Sequence, residues 1–155
     1  MYQGKVLISS CLLGNKVRWN GKDKFNKSLS VWAEQNGIEL VPVCPEDELL
    51  GTPRAPIRLI QIEDKIEASY KGEDIASKLR QKSEEIFERH PEALGFIGIH
   101  GSPSCGVGVG VKNLGRVIKG YMHLATNKPT TQSNFLRSEK QREQFLKRLE
   151  KIWNQ

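Results

Sequence analysis

ALGFIGIHGSPSCGVGV, residues 93–109, joins an apolar run to an abrupt series of turn residues. The apolar part, 94–99, is uninterrupted, and the residues after it are mostly Gly, Ser and Pro. An apolar run that ends at turn residues predicts a buried strand leading into a tight loop. Cys105 lies at the tip of that loop, where core packing does not require a thiol. It is therefore the first candidate for chemistry.

Patterns along the rest of the chain predict alternating strands and helices. Apolar residues recur at helical spacing in three segments, and short apolar runs bounded by Gly, Pro or Asn predict the strands. The predicted helices cover 29–35, 73–90 and about 133–153, and the predicted strands cover 5–9, 38–43, 94–99 and part of 115–122. This order favours an α/β fold, a single three-layer domain over residues 1–155 with a mostly parallel, Rossmann-like sheet.

The connecting segments are less regular. The segment 57–70 is predicted either as two paired strands or as an irregular excursion. Residues 47–56 and 127–131 are predicted loops, because turn-forming residues concentrate there. Thr131 or Ser133 is expected to cap the last helix.

Composition limits the class of protein. The chain has 155 residues, enough for one domain with a hydrophobic core. It shows neither an apolar stretch near the ~20 residues of a membrane span nor the features of a signal peptide, so we expect a cytoplasmic location. The net charge of +6 is compatible with an anionic partner such as a nucleotide or RNA, and equally with ordinary surface lysines.

The three cysteines occupy matching positions. Cys11, Cys44 and Cys105 each follow the C-terminal end of a predicted strand. In a parallel open sheet these ends share one edge, where such folds bind ligands. If the strands are parallel, the three thiols are predicted to converge in space.

Several kinds of site accommodate three cysteines. They include unrelated buried thiols, a zinc site with His100 as a fourth ligand, and a catalytic thiol. Structural zinc sites usually use local CxxC pairs, which are absent here, and a catalytic thiol leaves two cysteines unexplained. An iron–sulfur cluster explains all three, and three thiolates leave one iron of a four-iron cluster without a protein ligand.

Polar residues near the cysteines are candidates for substrate chemistry. Glu46 is a candidate general acid or base, because a nearby anionic cluster would raise its pKa. Ser102 and Ser104 are candidates for orienting substrate or water, although turn hydrogen bonding is the better interpretation of Ser104. The candidate anion-binding residues are Arg18, Arg54 and Arg58.

Five motifs together resemble the thiouracil desulfidase family, a family of small bacterial proteins. They are SSCLLG around Cys11, VRWNG at 17–21, PVCPE around Cys44, TPR at 52–54 and SPSCG around Cys105. The resemblance covers most of the chain up to about residue 120. Because all three cysteine motifs occur in order, it is a specific one.

The resemblance implies a non-redox desulfidation. Family members bind a 4Fe-4S cluster through three cysteines, here Cys11, Cys44 and Cys105, with one iron not ligated by protein. The substrate's thiocarbonyl sulfur is thought to coordinate that iron, and water oxygen replaces the sulfur. By motif match, Glu46 would handle protons and Ser102 would assist water or substrate.

The resemblance also implies the kind of partner. Relatives act on free thiouracil, on 4-thiouridine nucleotides or, with an extra domain, on thiolated tRNA. We therefore expect 2- or 4-thiouracil or 4-thiouridine monophosphate as substrate, with tRNA less favoured, no membrane partner, and a monomer or weak dimer. The expected substrate-binding residues are Arg18, Trp19, Arg54, Ser104 and Gly106. The alternatives are a non-catalytic iron–sulfur or zinc protein that senses modified nucleotides, and a thiol enzyme without metal.

Overall fold

The computed structural model describes residues 3–155, which form alternating strands and helices. In chain order they are β1 (Gly4–Ser9), α1 (Lys27–Gln35), β2 (Ile38–Val43), α2 (Pro45–Leu50), β3 (Arg58–Ile62), β4 (Lys65–Tyr70), β5 (Glu73–Asp74), α3 (Ala76–Arg89), β6 (Ala93–Gly98), β7 (Val109–Gly110), β8 (Val117–Ile118), α4 (Tyr121–Leu124), β9 (Thr130–Gln132) and α5 (Glu139–Trp153). Short 3-10 turns cover Ser10–Leu13 and Ser133–Phe135.

The central sheet has the strand order β2-β1-β6-β9, and each neighbouring pair is parallel. Ser9 at the end of β1 lies opposite Val43 at the end of β2, and Ile8 lies opposite Ile97 of β6. The C-terminal ends of three strands are therefore level with one another. The predicted parallel α/β fold is confirmed.

Helices cover both faces of the sheet. Ile8 faces a core that includes Leu29 of α1 and Leu149 of α5. Its neighbour Leu7 faces the other side, where Ile86 of α3 is also fully buried. Burial on both faces explains why the central strands are continuous apolar runs rather than alternating ones. Each such side chain stabilises the fold by roughly 1.5–3 kcal/mol.

The segment 57–70 forms a hairpin, the first of its two predicted forms. β3 and β4 are antiparallel, and β5 adds a third, short strand. Asp74 anchors this small sheet, because its Oδ1 accepts the N–H groups of Ala68 and Ala76, and its Oδ2 lies 2.9 Å from Lys65 Nζ. We call β3, β4 and β5 the hairpin sheet.

The prediction of a loop over 47–56 is wrong for its first part, which belongs to α2. Pro45 occupies the first turn of this helix, where the missing N–H costs nothing. Glu46 and Asp47 follow in the same turn, where negative charge favours a helix N-terminus. Cys44 is the N-cap of this helix, so the position of its thiol is fixed by the start of α2.

Three predictions for the C-terminal part need correction. Residues 130–131, the end of the predicted loop 127–131, belong to β9 (Thr130–Gln132), which is too short and polar to signal a strand. Of the segment 115–122, only 117–118 is a strand, and α4 begins at Tyr121. The last helix begins at Glu139, because Ser138 and Gln141 form a capping box.

Within residues 3–155, no helix is long and apolar enough to cross a membrane.

Candidate functional site

The ends of β1, β2 and β6 border one cavity of about 340 Å³, which we call the thiol cavity. Cys11 reaches it from the turn after β1, Cys44 from the residue after β2, and Cys105 from the loop after β6. All three are free cysteines. The parallel sheet thus brings together thiols that are far apart in sequence.

Cys11 is fixed by its carbonyl oxygen. That oxygen accepts the N–H of Gly14 at 3.2 Å and the N–H of Lys24 at 2.9 Å. Gly14 has a φ of +95°, a conformation that glycine adopts without strain. Burial and the negative charge of a nearby Cys44 thiolate raise the pKa of Cys11 to about 11, and the Arg18 guanidinium opposes that rise.

Cys44 is the N-cap of α2. Its Sγ accepts the Asp47 N–H at 3.4 Å, an interaction that favours the thiolate. Burial raises the pKa of Cys44, while that N–H and the Arg54 guanidinium act in the opposite direction. The position therefore offers a thiolate two compensating contacts.

Cys105 belongs to a buried turn that Ser102 organises. The Ser102 Oγ accepts the N–H groups of Ser104 at 3.3 Å and Cys105 at 3.1 Å, and the Ser102 carbonyl accepts the Gly106 N–H at 2.8 Å. The Cys105 carbonyl lies 2.6 Å from His123 Nε2, which must donate there because a carbonyl only accepts. Burial raises the pKa of the Cys105 thiol well above its usual value.

Two glycines allow this turn to pack so closely. A Cβ on Gly98 would lie 1.7 Å from the Cys105 carbonyl oxygen. A Cβ on Gly120 would lie 2.7 Å from the Ser104 carbonyl oxygen. Both contacts are with backbone, which cannot move away as a flexible side chain does. We call the turn 102–106 with these contacts the buried wall of the thiol cavity.

Glu46 lies between the cysteine loops. The Ser102 hydroxyl donates to Glu46 Oε2 at 3.3 Å, and Arg54 Nη2 is 3.8 Å from the same oxygen. The Glu46 and Arg54 side chains are only 13% and 3% exposed. Burial raises the pKa of Glu46, and the charge of Arg54 and the Ser102 hydrogen bond limit that rise. A buried carboxyl with a raised pKa suits proton transfer.

Arg54 braces the segment 17–21, which we call the rim loop. Its Nη1 donates to the Val17 carbonyl at 2.8 Å, and also to Gly51 and Thr52. Its backbone N–H donates to the Trp19 carbonyl at 3.0 Å. Arg54 lines the thiol cavity as predicted for a substrate contact, but most of its donors hold protein groups.

The other predicted substrate contacts divide into two groups. Arg18 and Trp19 line the thiol cavity, and Trp19 is 48% exposed. Ser104 and Gly106 are buried inside the turn and do not line the cavity. The Ser104 carbonyl accepts the Met122 N–H, so this residue serves the packing of α4. Their position does not support a role in substrate binding.

The donor set fits a cluster better than a single ion. Among residues 3–155, no group of three or more His, Cys, Asp or Glu side chains is arranged to hold one metal ion. The three thiols nevertheless share one cavity, and thiolates are the usual ligands of iron–sulfur clusters. Arg18 and Arg54 line the same cavity and would offset the negative charge. His100 lines it too, and its Nδ1 lies 3.3 Å from Ser133 Oγ.

Sequence reasoning missed two polar residues that support the cysteines. Ser9 is buried, and its Oγ accepts the Ile99 N–H at 2.9 Å. Burial raises the pKa of the Cys105 thiol, and a hydrogen bond with the Ser9 side chain opposes that rise. Ser9 ends β1 two residues before Cys11, and this position could have identified it as a residue near the cysteines. His123 is buried against the ring of Phe96, and nothing in its local sequence pattern indicates that contact.

Comparisons with known proteins give two similarities. A family model described as 2-thiouracil desulfurase matches residues 6–134, which include all three cysteines and stop before α5. A solved structure described as the 4Fe-4S-dependent thiouracil desulfidase TudS (DUF523Vcz) is similar with a TM-score of 0.68 and 23% sequence identity, over 96% of this chain and 99% of that chain. None of the curated proteins compared with the chain matches it.

Proposed function

Because the chain belongs to the 2-thiouracil desulfurase family, we propose that it replaces the thiocarbonyl sulfur of a thiolated uracil base or nucleotide with oxygen from water. The observation that carries this proposal is the convergence of three thiols and a buried Glu46–Ser102 pair on one cavity. Such a cavity combines soft sulfur donors with a group able to move protons.

The proposed cofactor is a 4Fe-4S cluster held by Cys11, Cys44 and Cys105, with one iron not ligated by protein. When bound, it would supply a Lewis-acidic metal with affinity for sulfur. The structural similarity to a protein described as 4Fe-4S-dependent supports this choice. So does the donor set, since the chain contains three cysteines and no more.

Glu46 is the proposed general base. One water is consumed, the C=S bond becomes C=O, sulfide leaves, and no electrons are transferred. The Glu46 carboxylate takes one proton from the water as its oxygen adds to the ring carbon, and returns that proton to the departing sulfur. The second water proton leaves the new hydroxyl for solvent as the C=O bond forms, so the products are the oxo-pyrimidine, HS⁻ and H⁺. Its raised pKa and its Ser102 hydrogen bond support this role. Ser102 assists by fixing the direction of the carboxylate.

The rim loop is the proposed contact for the pyrimidine ring. Trp19 is a half-exposed aromatic side chain at the cavity, and aromatic rings stack on bases of any sequence. Arg18 lines the same side and is proposed to donate to a ring oxygen. Arg54 is proposed to act indirectly, because it holds Glu46 and the rim loop in position rather than contacting the substrate.

Anaerobic purification followed by reconstitution with iron and sulfide tests the cluster. We expect about four iron and four sulfide per chain, with a charge-transfer absorbance in the visible range. Cys105→Ser should lose most of the iron, whereas Lys140→Gln, an exposed change on α5, should retain it. Full cluster retention in Cys105→Ser would rule out the three-ligand arrangement.

Turnover is tested separately with 2-thiouracil and 4-thiouridine monophosphate. The thiocarbonyl absorbance should disappear, sulfide should accumulate, and isotopically labelled water should place its oxygen in the product. A loaded protein that leaves both substrates intact would contradict the desulfidase proposal and favour a binding or sensing role.

A further inference from the structure

The buried wall is hydrogen-bonded, carbonyl by carbonyl, to the start of α4. Four successive carbonyl groups, those of residues 103–106, accept hydrogen bonds from four successive residues, 120–123. The bonds join Pro103 to Tyr121 at 3.4 Å, Ser104 to Met122 at 2.8 Å, Cys105 to His123 at 2.6 Å and Gly106 to Gly120 at 2.8 Å.

Three of these bonds do not depend on side chains. Their donors are the backbone N–H groups of Gly120, the N-cap of α4, and of the two residues after it. The first N–H groups of a helix have no partner inside the helix, and here the carbonyls of the buried wall accept them. Other residues at 121 and 122 would donate in the same way, because each N–H belongs to the backbone.

The fourth bond, at the cysteine itself, depends on one side chain. Among residues 3–155, no backbone N–H donates to the Cys105 carbonyl, and the donor is the His123 ring through Nε2. A buried carbonyl that loses its donor costs free energy, since it has already lost its hydrogen bond to water. The position of the Cys105 backbone is therefore sensitive to the identity of residue 123.

Packing fixes the direction of the His123 ring. The residue is 5% exposed, and its ring centroid lies 5.3 Å from that of the fully buried Phe96, at an interplanar angle of 61°. Nδ1 is buried without a hydrogen-bond partner among the described residues, so the ring makes its polar contact through Nε2 alone. A neutral ring with its proton on Nε2 fits this arrangement, since Nε2 must donate to a carbonyl.

From this geometry we infer that His123 is a positioning residue for the reaction, because its Nε2–H fixes the Cys105 backbone and thereby the sulfur that binds the cofactor. The inference rests on the proposed function for the identity of that cofactor. His123 does not line the thiol cavity, so it acts through Cys105 and touches neither substrate nor cofactor.

Three variants separate positioning from general stability. His123→Leu keeps an apolar side chain of similar bulk and removes the donor, whereas His123→Gln keeps an N–H near the same place. The matched control is Leu149→Ala, which destabilises the fold from a fully buried site on α5, on the other face of the sheet from Cys105. All are compared at a temperature where circular dichroism shows them folded.

The first measurement uses the protein without its cofactor. Iodoacetamide labelling followed by mass spectrometry gives the alkylation rate of Cys105, which is 4% exposed in the wild type. We expect His123→Leu to accelerate this reaction at least about tenfold, because local opening of the turn becomes more frequent. His123→Gln and Leu149→Ala should stay within about threefold of the wild type.

Two further measurements complete the test. Bleaching of the reconstituted protein by an iron chelator should follow the same order of rates, with His123→Leu the fastest. Nitrogen-15 NMR of histidine-labelled wild-type protein should show His123 as the neutral form protonated on Nε2.

Four results would overturn the inference. They are a proton on Nδ1 instead of Nε2, wild-type rates in His123→Leu, an equal acceleration in Leu149→Ala, and a failure of His123→Gln to restore slow alkylation. If the wild type loads no cluster or leaves thiouracil intact, the proposed function fails, but the NMR and alkylation measurements still decide the role of His123. If thiouracil is turned over and any of the four results is found, only this inference fails.

Discussion

The two sides of the thiol cavity are built differently. The buried wall around Cys105 is fixed by His123, by the Ser102 turn and by backbone contact with Gly98. The rim loop is held chiefly through Arg54, and its Trp19 is half-exposed. The contrast suggests a division of labour, in which the buried wall fixes the position of a cluster ligand and the rim loop adapts to a substrate ring.

Glu46 contacts Ser102 of the buried wall and Arg54, which braces the rim loop, so changing Glu46 should have the largest effect on rate. Glu46→Gln keeps the shape but removes the proton acceptor, and we expect kcat/KM to fall by about 10²–10⁴-fold with unchanged iron content. Initial rates on the loaded protein measure this. Glu48→Gln is the control, because Glu48 lies on the same helix as Glu46 but forms an exposed ion pair with Arg89 of α3. This variant should leave the rate nearly unchanged. A Glu46→Gln variant with wild-type turnover would refute the assigned role.

Gly98→Ala should break the buried wall. The added Cβ would collide with the Cys105 carbonyl, and overpacking of this severity costs about 3 kcal/mol of unfolding free energy. Urea denaturation measures that cost, and iron content reports whether the ligand loop still binds. Gly110→Ala, where a Cβ meets nothing within 4 Å, should cost little. Equal stability of both variants would contradict the prediction, because it would show that the Cys105 turn can move to accommodate the added Cβ.

Trp19→Ala should affect the rim loop alone. Loss of ring stacking is expected to raise KM about tenfold, with kcat changed little and the cluster retained. Trp19→Phe preserves an aromatic face and should restore most of the affinity. Steady-state kinetics separate the two parameters. Loss of the cluster in Trp19→Ala would mean that the two sides of the cavity are not independent.

The smallest effect is expected from a change in the hairpin sheet, because its Asp74 has no proposed role in the reaction and affects stability alone. Although burial raises the pKa of Asp74, the Lys65 hydrogen bond and the N–H groups of Ala76 and Ala68 lower it overall. A depressed folded-state pKa stabilises the fold above the unfolded-state pKa, and this contribution disappears as the pH falls through the folded-state value. Asp74→Asn should therefore cost about 1 kcal/mol near neutral pH and less in acid.

Urea unfolding at several pH values tests this prediction, with Glu67→Gln in β4 as the control. Desulfidase activity should remain unchanged in Asp74→Asn. A stability loss that does not vary with pH would show that the hydrogen-bonding shape of Asp74, rather than its charge, matters.

The sheet and the meeting of the cysteines were predictable because each cue is local. β1, β2 and β6 are short, mostly apolar runs, and each thiol lies in the turn or loop that follows one of them. Parallel topology then places the strand ends together. α2 was missed although Pro45 and three acidic residues mark its start, because Gly and Pro further on dominated the pattern. β9 has three residues and owes its strand conformation to pairing with β6.

The finer contacts of the site were not predictable, since they join residues distant in sequence. Arg54 is a brace because the Val17 carbonyl happens to lie beside it, and no local pattern encodes that. His123 likewise acquires its role only when α4 packs against the Cys105 turn. Glu46 and Ser102 were both singled out, but their direct hydrogen bond depends on the packing of two separate loops.

The bonding of Ser102 gives its hydroxyl a fixed direction. The oxygen already accepts two backbone N–H groups, from Ser104 and Cys105, so both lone pairs are occupied. Its single proton is left to point at Glu46. Ser102 therefore cannot receive a proton from water without losing a bond of its own turn. Glu46 therefore exchanges protons with the thiol cavity through its own carboxylate oxygens, and Ser102 does not pass protons on to it.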